Sequence, residues 1–449
     1  MNTNNEHMYN NKSLRLLFIP IIIEQLLNSL MGTVDSIMVS NIGSAAISAV
    51  SLVDAINILV TQAFAALAAG GTIICSQYIG SKNKKEANKA AKQLILVVSV
   101  IGIIVMALML TVRFPLLKLI FGKVSEDVMK ASQTYFFYTV ISYPFIGLFN
   151  AGSSIFRAQG NSRTPMIISV VSNLLNVAGN FILIWGAGLG VAGAAISTLL
   201  SRIFCMVVVI IMLRNHKNEI VINEYLRLKP DKRLIMKILI IGIPSGIENS
   251  MFQFGKLAIQ STVSAMGTVA IAAQAMTNIL ENLNGIAGIG IGIGMMTVVG
   301  ECIGANKKDE AIYYIKKLTA VAEVVIIASC AIVFLLAKPI TIIGGMEEES
   351  AKLCMGMMVA ITLVKPVVWV GSFVPAYGMR AAGDVKFSMI VSCITMWMFR
   401  VTLCVFLANR YNMGPMAVWY GMFTDWTVRT ILFTIRFKSR KWLNHKVIE

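Results

Sequence analysis

The chain alternates long apolar stretches with short polar ones from end to end. Each apolar stretch holds about 20 residues or more, which is the length that an α-helix needs to cross the hydrocarbon core of a bilayer. The approximate boundaries of the twelve stretches are 14–38, 47–70, 93–116, 132–156, 164–186, 190–213, 238–262, 269–299, 318–338, 353–378, 388–409 and 414–435. The pattern predicts an all-α polytopic membrane protein with twelve transmembrane helices.

The pattern is present twice. Residues 19–94 align with residues 243–318 without a gap. Further along, FRAQGNSRTPM at 156–166 aligns with MRAAGDVKFSM at 379–389. Long apolar chains built from two parallel copies are typical of secondary transporters, and in many of them the substrate path lies between the halves. The duplication therefore favours a transporter.

The longest polar stretch, residues 214–237, separates the two copies. It predicts an N-lobe of residues 1–213, a cytoplasmic interlobe linker of residues 214–237 and a C-lobe of residues 238–449. Each copy has an even number of spans, so both copies have the same topology across the membrane. We therefore expect two six-helix bundles related by a pseudo-two-fold axis along the membrane normal.

Composition agrees with a membrane protein. Only 14% of the residues are charged and 57% are hydrophobic, whereas about a quarter of a soluble domain is charged. The formal charge of +17 could suggest a nucleic-acid partner, but the Lys and Arg residues lie between the apolar stretches, without interleaved aromatic residues, so none is expected. They concentrate in alternate polar segments. By the positive-inside rule, this predicts a multi-pass protein of the plasma (inner) membrane with both termini cytoplasmic.

The sequence does not favour an enzyme. The seven cysteines lie singly in or beside apolar stretches, and the three histidines, His7, His216 and His445, lie in polar segments. No CxxC pair, His cluster or nucleophile with a paired base is present, so we expect no disulfide framework, no metal site and no cofactor. The expected partners are a small-molecule substrate and the lipid bilayer, and the protein is expected to act as a monomer.

A polar stripe runs along the first span. Glu24, Asn28 and Asp35 stand at i, i+4 and i+11, which places Asp35 within about 20° of Glu24 and roughly 16 Å further along the same face. An ionisable group at membrane depth costs about 2.5 to 3.5 kcal/mol on insertion scales, so each needs a partner or a role. Two interpretations remain open: a functional site, or carboxylates buried against donors of neighbouring helices.

A second stripe of amides lies in the fifth span. Asn173, Asn176 and Asn180 stand at i, i+3 and i+7, and Thr198 follows in the sixth span. Amide and hydroxyl oxygens beside a carboxylate can ligate a hard cation, or they can hydrogen-bond the carboxylate while it exchanges a proton. Amides that merely hold helices together, at on the order of 0.6 kcal/mol per contact, are the alternative.

The C-lobe carries a different stripe, which is basic and rich in amides. Its candidate residues are Glu248, Asn249, Gln253, Lys256, Gln260, Lys365 and Arg400. In one interpretation the lysines line a substrate cleft, where they repel cations or contact an anionic group. In the other, the cations form a compensated network with the acid, chiefly a Glu248–Lys ion pair.

Further features of the spans have no assigned face. Four more acids lie in apolar surroundings: Asp54, Glu281, Glu323 and Asp425. Arg202 and Arg429 are expected to lie near cytoplasmic ends, where they could snorkel to water. Within the eighth span, GIAGIGIGIGMM at 285–296 places a glycine at every second or third position. This run predicts close helix packing, with a hinge as the alternative.

Several motifs together resemble one family. Pro20 followed by Asp35, then NIGSAAISAVSL and SQYIGSKNKKEA, resembles the opening of multidrug and toxic compound extrusion (MATE) transporters. RAQGNSRTPM, NLLN and GVAGAAISTLLSR are similar to that family's fourth to sixth spans. The second half agrees through IGIPSGIE, MGTVAIAAQAM, RAAGDVKFSM and GPMAVW. The resemblance covers essentially the whole chain.

The resemblance implies twelve helices in two V-shaped bundles and export of organic, often cationic or amphipathic, compounds in exchange for inward H⁺ or Na⁺. It also implies a coupling site formed by Asp35, Asn176, Asn180 and Thr198.

This chain departs from the family at several positions. Related transporters often carry Asp where this chain has Asn180, so the site has one charge fewer. In addition, Lys256 and Lys365 replace an acidic environment in the C-lobe with a basic one. H⁺ coupling through Asp35 is therefore preferred, with Na⁺ at Asp35 as the alternative.

The sequence thus predicts a cation-coupled antiporter that works by alternating access of two lobes. A flippase or exporter of a lipid-linked or anionic substrate, using the basic C-lobe, is the alternative.

Overall fold

The computed structural model describes residues 7–122, 124–225 and 229–448, without the side chain of Thr33. Every regular element in these residues is helical. The α-helices are α1 Asn11–Ser40, α2 Ser44–Gly80, α3 Lys84–Phe121, α4 Glu126–Ile141, α5 Tyr143–Ala158, α6 Arg163–Asn180, α7 Gly190–Met212, α8 Lys232–Ser264, α9 Thr268–Gly304, α10 Lys308–Ile343, α11 Glu348–Ala381, α12 Val385–Thr395, α13 Thr402–Tyr411 and α14 Met416–Lys438.

Two π-helical segments interrupt regular helix. Phe181–Gly186 continues α6 beyond Asn180, and Met396–Val401 joins α12 to α13. Because each π turn follows an α-helix directly, α6 and α12–α13 each form one continuous span. Segments of this kind are often found at functional sites, because they turn side chains out of the regular helical register.

Ten helical segments of the described residues are long and apolar enough to cross a membrane. The other two predicted spans correspond to α4 with α5, and to α14. The first of these is broken at Ser142, because Pro144 occupies the first turn of α5 and cannot continue the hydrogen-bond ladder of α4. The second, α14, carries Asp425 and Arg429 inside its apolar stretch. The predicted all-α, multi-span fold is confirmed.

The contacts divide the chain into two compact units. We call Lys12–Gly246 the N-unit, and Ile247–Glu449 together with Met1–Asn11 the C-unit. The division falls inside α8 because the first half of this helix packs on α2. A Cβ added to Gly70 of α2 would lie 2.9 Å from the carbonyl oxygen of Ile238, so glycine is required for this close approach.

The segment that the sequence assigns to a linker is attached to the N-unit. The main-chain N–H of Val221 donates to Asn88 Oδ1 at 2.8 Å, and Gln93 Nε2 donates to the carbonyl of Lys229 at 2.9 Å. Tyr225 donates its hydroxyl to the carbonyl of Ile210 at 2.8 Å. Burial raises the pKa of Tyr225 to about 12, although Arg214 nearby opposes the shift. These contacts hold the linker against α3 and the end of α7.

The glycine run of α9 provides close packing against α11. A Cβ on Gly288 would lie 2.5 Å from the ring of Trp369, and one on Gly292 would lie 2.4 Å from the ring of Tyr377. Both rings therefore occupy space that any larger residue in α9 would fill. The packing interpretation of residues 285–296 is confirmed at these positions.

Candidate coupling and substrate sites

The four residues of the expected coupling site lie together in the N-unit. Asn180, the last residue of α6 before the π turn, donates its Nδ2 to Asp35 Oδ1 at 2.8 Å. The same nitrogen lies 3.4 Å from Asn176 Oδ1, one helical turn earlier. Asn176 Nδ2 in turn lies 3.4 Å from Thr198 Oγ1 of α7. The polar stripes of α1 and α6 therefore face each other, with Thr198 at the end of the chain of hydrogen bonds.

Asp35 has no cationic partner within ion-pair distance among the described residues. Its carboxylate is half-buried and accepts its hydrogen bond from a neutral amide. The charged groups that act on it from nearby are Asp54 of α2 and Arg202 of α7. No hydrogen bond from Arg202 to Asp35 is found among the described residues, and Arg202 Nη1 donates to Ser142 Oγ at 2.6 Å. A carboxylate in this setting can exchange a proton or a cation without first breaking an ion pair.

Glu24 and Glu248 occupy equivalent positions in the repeat and make equivalent ion pairs. Arg157, at the end of α5, contacts Glu24 Oε2 at 3.1 Å. Arg380, at the end of α11, contacts Glu248 Oε1 at 2.6 Å. The Glu248–Lys pair considered as an alternative is wrong. Arg380 takes that place because it lies in the last turn of α11, whereas Lys256 is two turns from Glu248 on its own helix, about 12 Å along the axis.

Lys365 is completely buried and paired. Its Nζ donates to Glu281 Oε1 at 2.6 Å and to the main-chain carbonyl of Glu281 at 2.9 Å. It also lies 5.1 Å from the centre of the Trp369 ring, within the range of a cation–π contact. Sequence reasoning could not find this partner, because the face of α9 on which Glu281 lies was not defined. The pairing neutralises one of the two lysines proposed to line a cleft.

Arg400 belongs to a second buried network. Its Nε donates to Asp425 Oδ2 at 2.9 Å, and Arg429 Nη2 donates to Asp425 Oδ1 at 2.9 Å. Both guanidinium groups lie over the ring of Phe252, at 5.2 and 4.9 Å from its centre. Arg429 was expected to snorkel, and that expectation is wrong: its side chain is 1% exposed, because Asp425 one turn away compensates its charge.

The remaining C-unit candidates are less buried. Lys256 and Gln260 are exposed on α8, while Asn249 and Gln253 are half-buried. No salt bridge to Lys256 is found among the described residues. Asn28, in the N-unit, is exposed on α1. Lys256 is thus the candidate cation whose charge is not compensated by direct contact.

A polar cluster that sequence reasoning missed surrounds Asp54 in the N-unit. Asn57 Nδ2 donates to Asp54 Oδ1 at 2.9 Å, and the Tyr135 hydroxyl lies 3.4 Å from the same oxygen. Tyr143 donates to Asn57 Oδ1 at 2.8 Å. The i, i+3 spacing of Asp54 and Asn57 was visible in the sequence, but the tyrosines come from helices whose packing was not.

Comparison with known proteins decides the family. The sequence model of the MatE family matches residues 20–182 and 244–406, one match in each copy of the repeat. This chain belongs to the MatE family. Its members are transporters, and the protein is accordingly a membrane transporter and not an enzyme.

Curated relatives cover nearly the whole chain. The uncharacterized transporter YisQ of Bacillus subtilis is 27% identical over 431 residues, covering 94% of this chain and 93% of the relative. The probable multidrug resistance protein NorM of Thermotoga maritima is 24% identical, covering 97% of this chain and 94% of the relative.

Solved structures of MatE-type transporters share the fold. An outward-facing multidrug resistance MATE family transporter of the MOP superfamily superposes with a TM-score of 0.89, at 19% identity and 95% coverage of both chains. A MOP superfamily transporter from Pyrococcus furiosus, described as having a binding pocket of reverse polarity, gives a TM-score of 0.86 at 21% identity, again with 95% coverage of both.

Proposed function

We propose that this MatE protein is a proton-coupled antiporter that exports organic, cationic or amphipathic compounds by alternating access. One observation carries the proposal. Asp35 is an acid within a membrane-spanning helix whose hydrogen bond comes from a neutral amide, whereas Glu24, Glu248, Glu281 and Asp425 are all ion-paired. An unpaired carboxylate at depth is stabilised when it takes up a cation. Relatives named as multidrug resistance proteins support the export of drugs.

The surroundings of Asp35 favour a proton over sodium. Asn180 donates its NH₂ group to the carboxylate in this arrangement, and among the described residues no donor reaches its buried amide oxygen. A sodium ion prefers a shell of oxygen atoms with compensating negative charge, whereas a proton requires a single carboxylate oxygen.

Protonation gives a physical route to conformational change. When Asp35 is ionised, the Asn180 amide makes a charge-assisted hydrogen bond that ties α1 to α6. Neutralising Asp35 weakens this bond and removes the free-energy cost of a charge at depth. These helices can rearrange at two points: the π turn that follows Asn180 in α6, and Pro20 inside α1. The proton drives transport to the extent that Asp35 binds it more tightly in one conformation of the protein than in the other.

Lys256 favours a second candidate function, export of an anionic compound. Lys365, Arg400 and Arg429 are bound to Glu281 and Asp425, whereas Lys256, exposed on α8, makes no salt bridge within the described residues. An uncompensated ammonium group at membrane depth is an anion-binding group. The Pyrococcus furiosus relative with a pocket of reverse polarity is a precedent within the same fold, although that likeness concerns the fold alone.

Transport in proteoliposomes separates these functions. Purified protein is reconstituted, pH and Na⁺ gradients are imposed separately, and a cationic and an anionic fluorescent dye are compared. Movement of the cationic dye driven by the pH gradient alone is the expected result, and movement driven only by Na⁺ would contradict the proposal. Transport of the anionic dye that is lost in Lys256→Gln but kept in the control Lys386→Gln would favour the second candidate.

We also propose that the protein lies in the plasma membrane with both termini in the cytoplasm, since basic residues concentrate in alternate polar segments. We propose separately that it acts as a monomer. A cysteine introduced as Lys446→Cys should react with a membrane-impermeant maleimide in inverted vesicles and not in intact cells. Reaction in intact cells would show that the C-terminus faces the outside and would contradict the proposed topology. Crosslinking and sizing of the detergent-solubilised protein test the monomer.

A further inference from the structure

Asp54 is a second acid of the N-unit spans for which the transport scheme above has no role. It lies in α2, one third of the way along the helix, and has no ion pair among the described residues. Counted from the turn between α1 and α2, Asp54 lies roughly 15 Å into its helix and Asp35 roughly 8 Å into its own. The two acids therefore lie at different distances from the turn that joins two consecutive helices.

The hydrogen bonds around Asp54 are organised to present donors to it. Tyr143 donates to Asn57 Oδ1 at 2.8 Å, which fixes the amide so that its NH₂ group faces Asp54. The Tyr135 hydroxyl supplies a second, longer contact at 3.4 Å. Neutral donors that hold a carboxylate without neutralising it leave the group free to bind a proton.

The duplicated unit shows what is missing at Asp54. The repeat pairs Asn57 of α2 with Glu281 of α9. Glu281 accepts from Lys365, the residue before Pro366, whereas Asn57 accepts from Tyr143, the residue before Pro144. The Glu281–Lys365 ion pair of the C-unit is thus replaced in the N-unit by a hydrogen bond between two neutral side chains, Asn57 and Tyr143. The N-unit acid lies instead at position 54, three residues earlier, where no lysine or arginine of the described residues forms an ion pair with it.

The charges around Asp54 connect it to Asp35. The helices packed against α2 include α3, α4, α5 and α7. The charged and titratable groups that act on Asp54 are Tyr135 of α4, Tyr143 of α5, Arg202 of α7 and Asp35 of α1, and among the described residues α3 adds none to this set. Arg202 acts on both acids while its hydrogen bond goes to Ser142. Two carboxylates within electrostatic range of one guanidinium, without an ion pair to it, carry a combined net charge of about −1 when both are ionised, and one bound proton makes this set of charges neutral.

We propose that Asp54 is a second proton-binding carboxyl group, coupled to Asp35 through Arg202, so that the two acids hold one proton between them at two depths of the N-unit. In this arrangement an O–H bond at one carboxyl replaces an O–H bond at the other, and no electrons are exchanged. The inference builds on the proposed function, because it gives the proton a second position beyond Asp35. Proton binding can nevertheless be measured without any transport.

The test is infrared difference spectroscopy of purified protein in nanodiscs, labelled with carbon-13 aspartate and titrated with pH. The C=O band of protonated aspartic acid reports each group directly. Asp54→Asn should remove one component and displace the titration midpoint of the remaining one by about one pH unit. Asp35→Asn should have the reciprocal effect, and Asp54→Glu should restore coupling to Asp35. The asparagine variant keeps an oxygen acceptor for Asn57 and Tyr135, so that folding should be preserved.

Glu323→Gln is the matched control, since Glu323 is a half-buried acid in a span of the other unit. It should leave both aspartate components unchanged. An aspartate spectrum that is the same in Asp54→Asn as in wild type would overturn the proposal, as would an unmoved midpoint for Asp35. If the spectra show reciprocal coupling but a pH gradient drives no export, the proposed function fails and the second proton site stands.

Discussion

The ion pair between Glu281 and Lys365 allows a quantitative test of how the C-unit tolerates its charges. The side chain of Lys365 is 0% exposed and that of Glu281 is 14% exposed. Removing Glu281 therefore strands a fully buried ammonium group, while removing Lys365 strands a carboxylate that keeps some access to water. Breaking a buried pair from one side costs about 3 to 5 kcal/mol. In Glu281→Gln the ammonium keeps the main-chain carbonyl at 2.9 Å, so we expect about 3 kcal/mol.

Lys365→Met should cost less, about 1 to 3 kcal/mol, because it leaves only an unsatisfied and partly hydrated acceptor. The double variant should be close to wild type, since a buried ion pair replaced by neutral groups is often neutral or stabilising. Free energies of unfolding can be measured by titration with SDS in mixed micelles, followed by tryptophan fluorescence; one of the six tryptophans, Trp369, lies with its ring centre 5.1 Å from the ammonium. Additive effects in the double variant would refute the reasoning, because they would show that the two side chains do not stabilise each other.

Three further predictions concern stability. Glu24→Gln and Glu248→Gln should each lower the free energy of unfolding by about 3 kcal/mol, because both break equivalent pairs between a buried glutamate and a half-buried arginine. Clearly unequal values in SDS titration would contradict the equivalence. Gly288→Ala should cost about 1 to 3 kcal/mol by overpacking against an indole ring, while Gly356→Ala, which has open space around it, should stabilise by up to about 1 kcal/mol; thermal unfolding of the two variants should separate them. The pKa of Tyr225 is raised from 10.0 to about 12 in the folded protein, so the folded state binds this proton more tightly and stability should fall as pH rises between these values. Tyr225→Phe should remove that part of the pH dependence. A melting temperature that falls with pH as steeply in the variant as in wild type would contradict the prediction.

Much of the fold could be predicted because membrane spans depend on length and apolarity, which the sequence shows directly. The predicted spans at 132–156 and 414–435 correspond to α4 with α5 and to α14, although neither is among the ten segments that length and apolarity alone mark as able to cross a membrane. The break at Ser142 was not predicted. Its signal, Pro144 within an apolar run, was present, but prolines also lie inside continuous helices here, as Pro20 does in α1.

The site was predictable where side chains recur at helical spacing within one span. That spacing placed Asn176 and Asn180 on one face of α6. Their meeting with Asp35 of α1 was implied by the family resemblance, and the structure brings the three side chains together. Ion-pair partners could not be predicted, because they depend on how far each helix is rotated and shifted against its neighbours. One signal was available and not used: the repeat pairs Glu24 with Glu248 and also pairs their arginine partners, as a duplicated ion pair requires.

Asp54 and Glu281 illustrate the limit. Both are acids in apolar helices. Glu281 contacts Lys365 of α11, whereas Asp54 contacts Tyr135 of α4 and the amide of Asn57 on its own helix. Of these partners, Asn57 was visible in the sequence at i+3, whereas Lys365 and Tyr135 come from other helices and depend on how those helices pack.

The central claim is that Asp35 carries the coupling proton, and Asp35→Asn in proteoliposomes tests it most directly. The asparagine keeps the shape of the site and an oxygen for Asn180, but it cannot gain or lose a proton in the physiological range. With protein amount and orientation matched, we predict that the variant still binds the exported compound and loses export driven by a pH gradient. Full proton-driven export by Asp35→Asn would contradict the account.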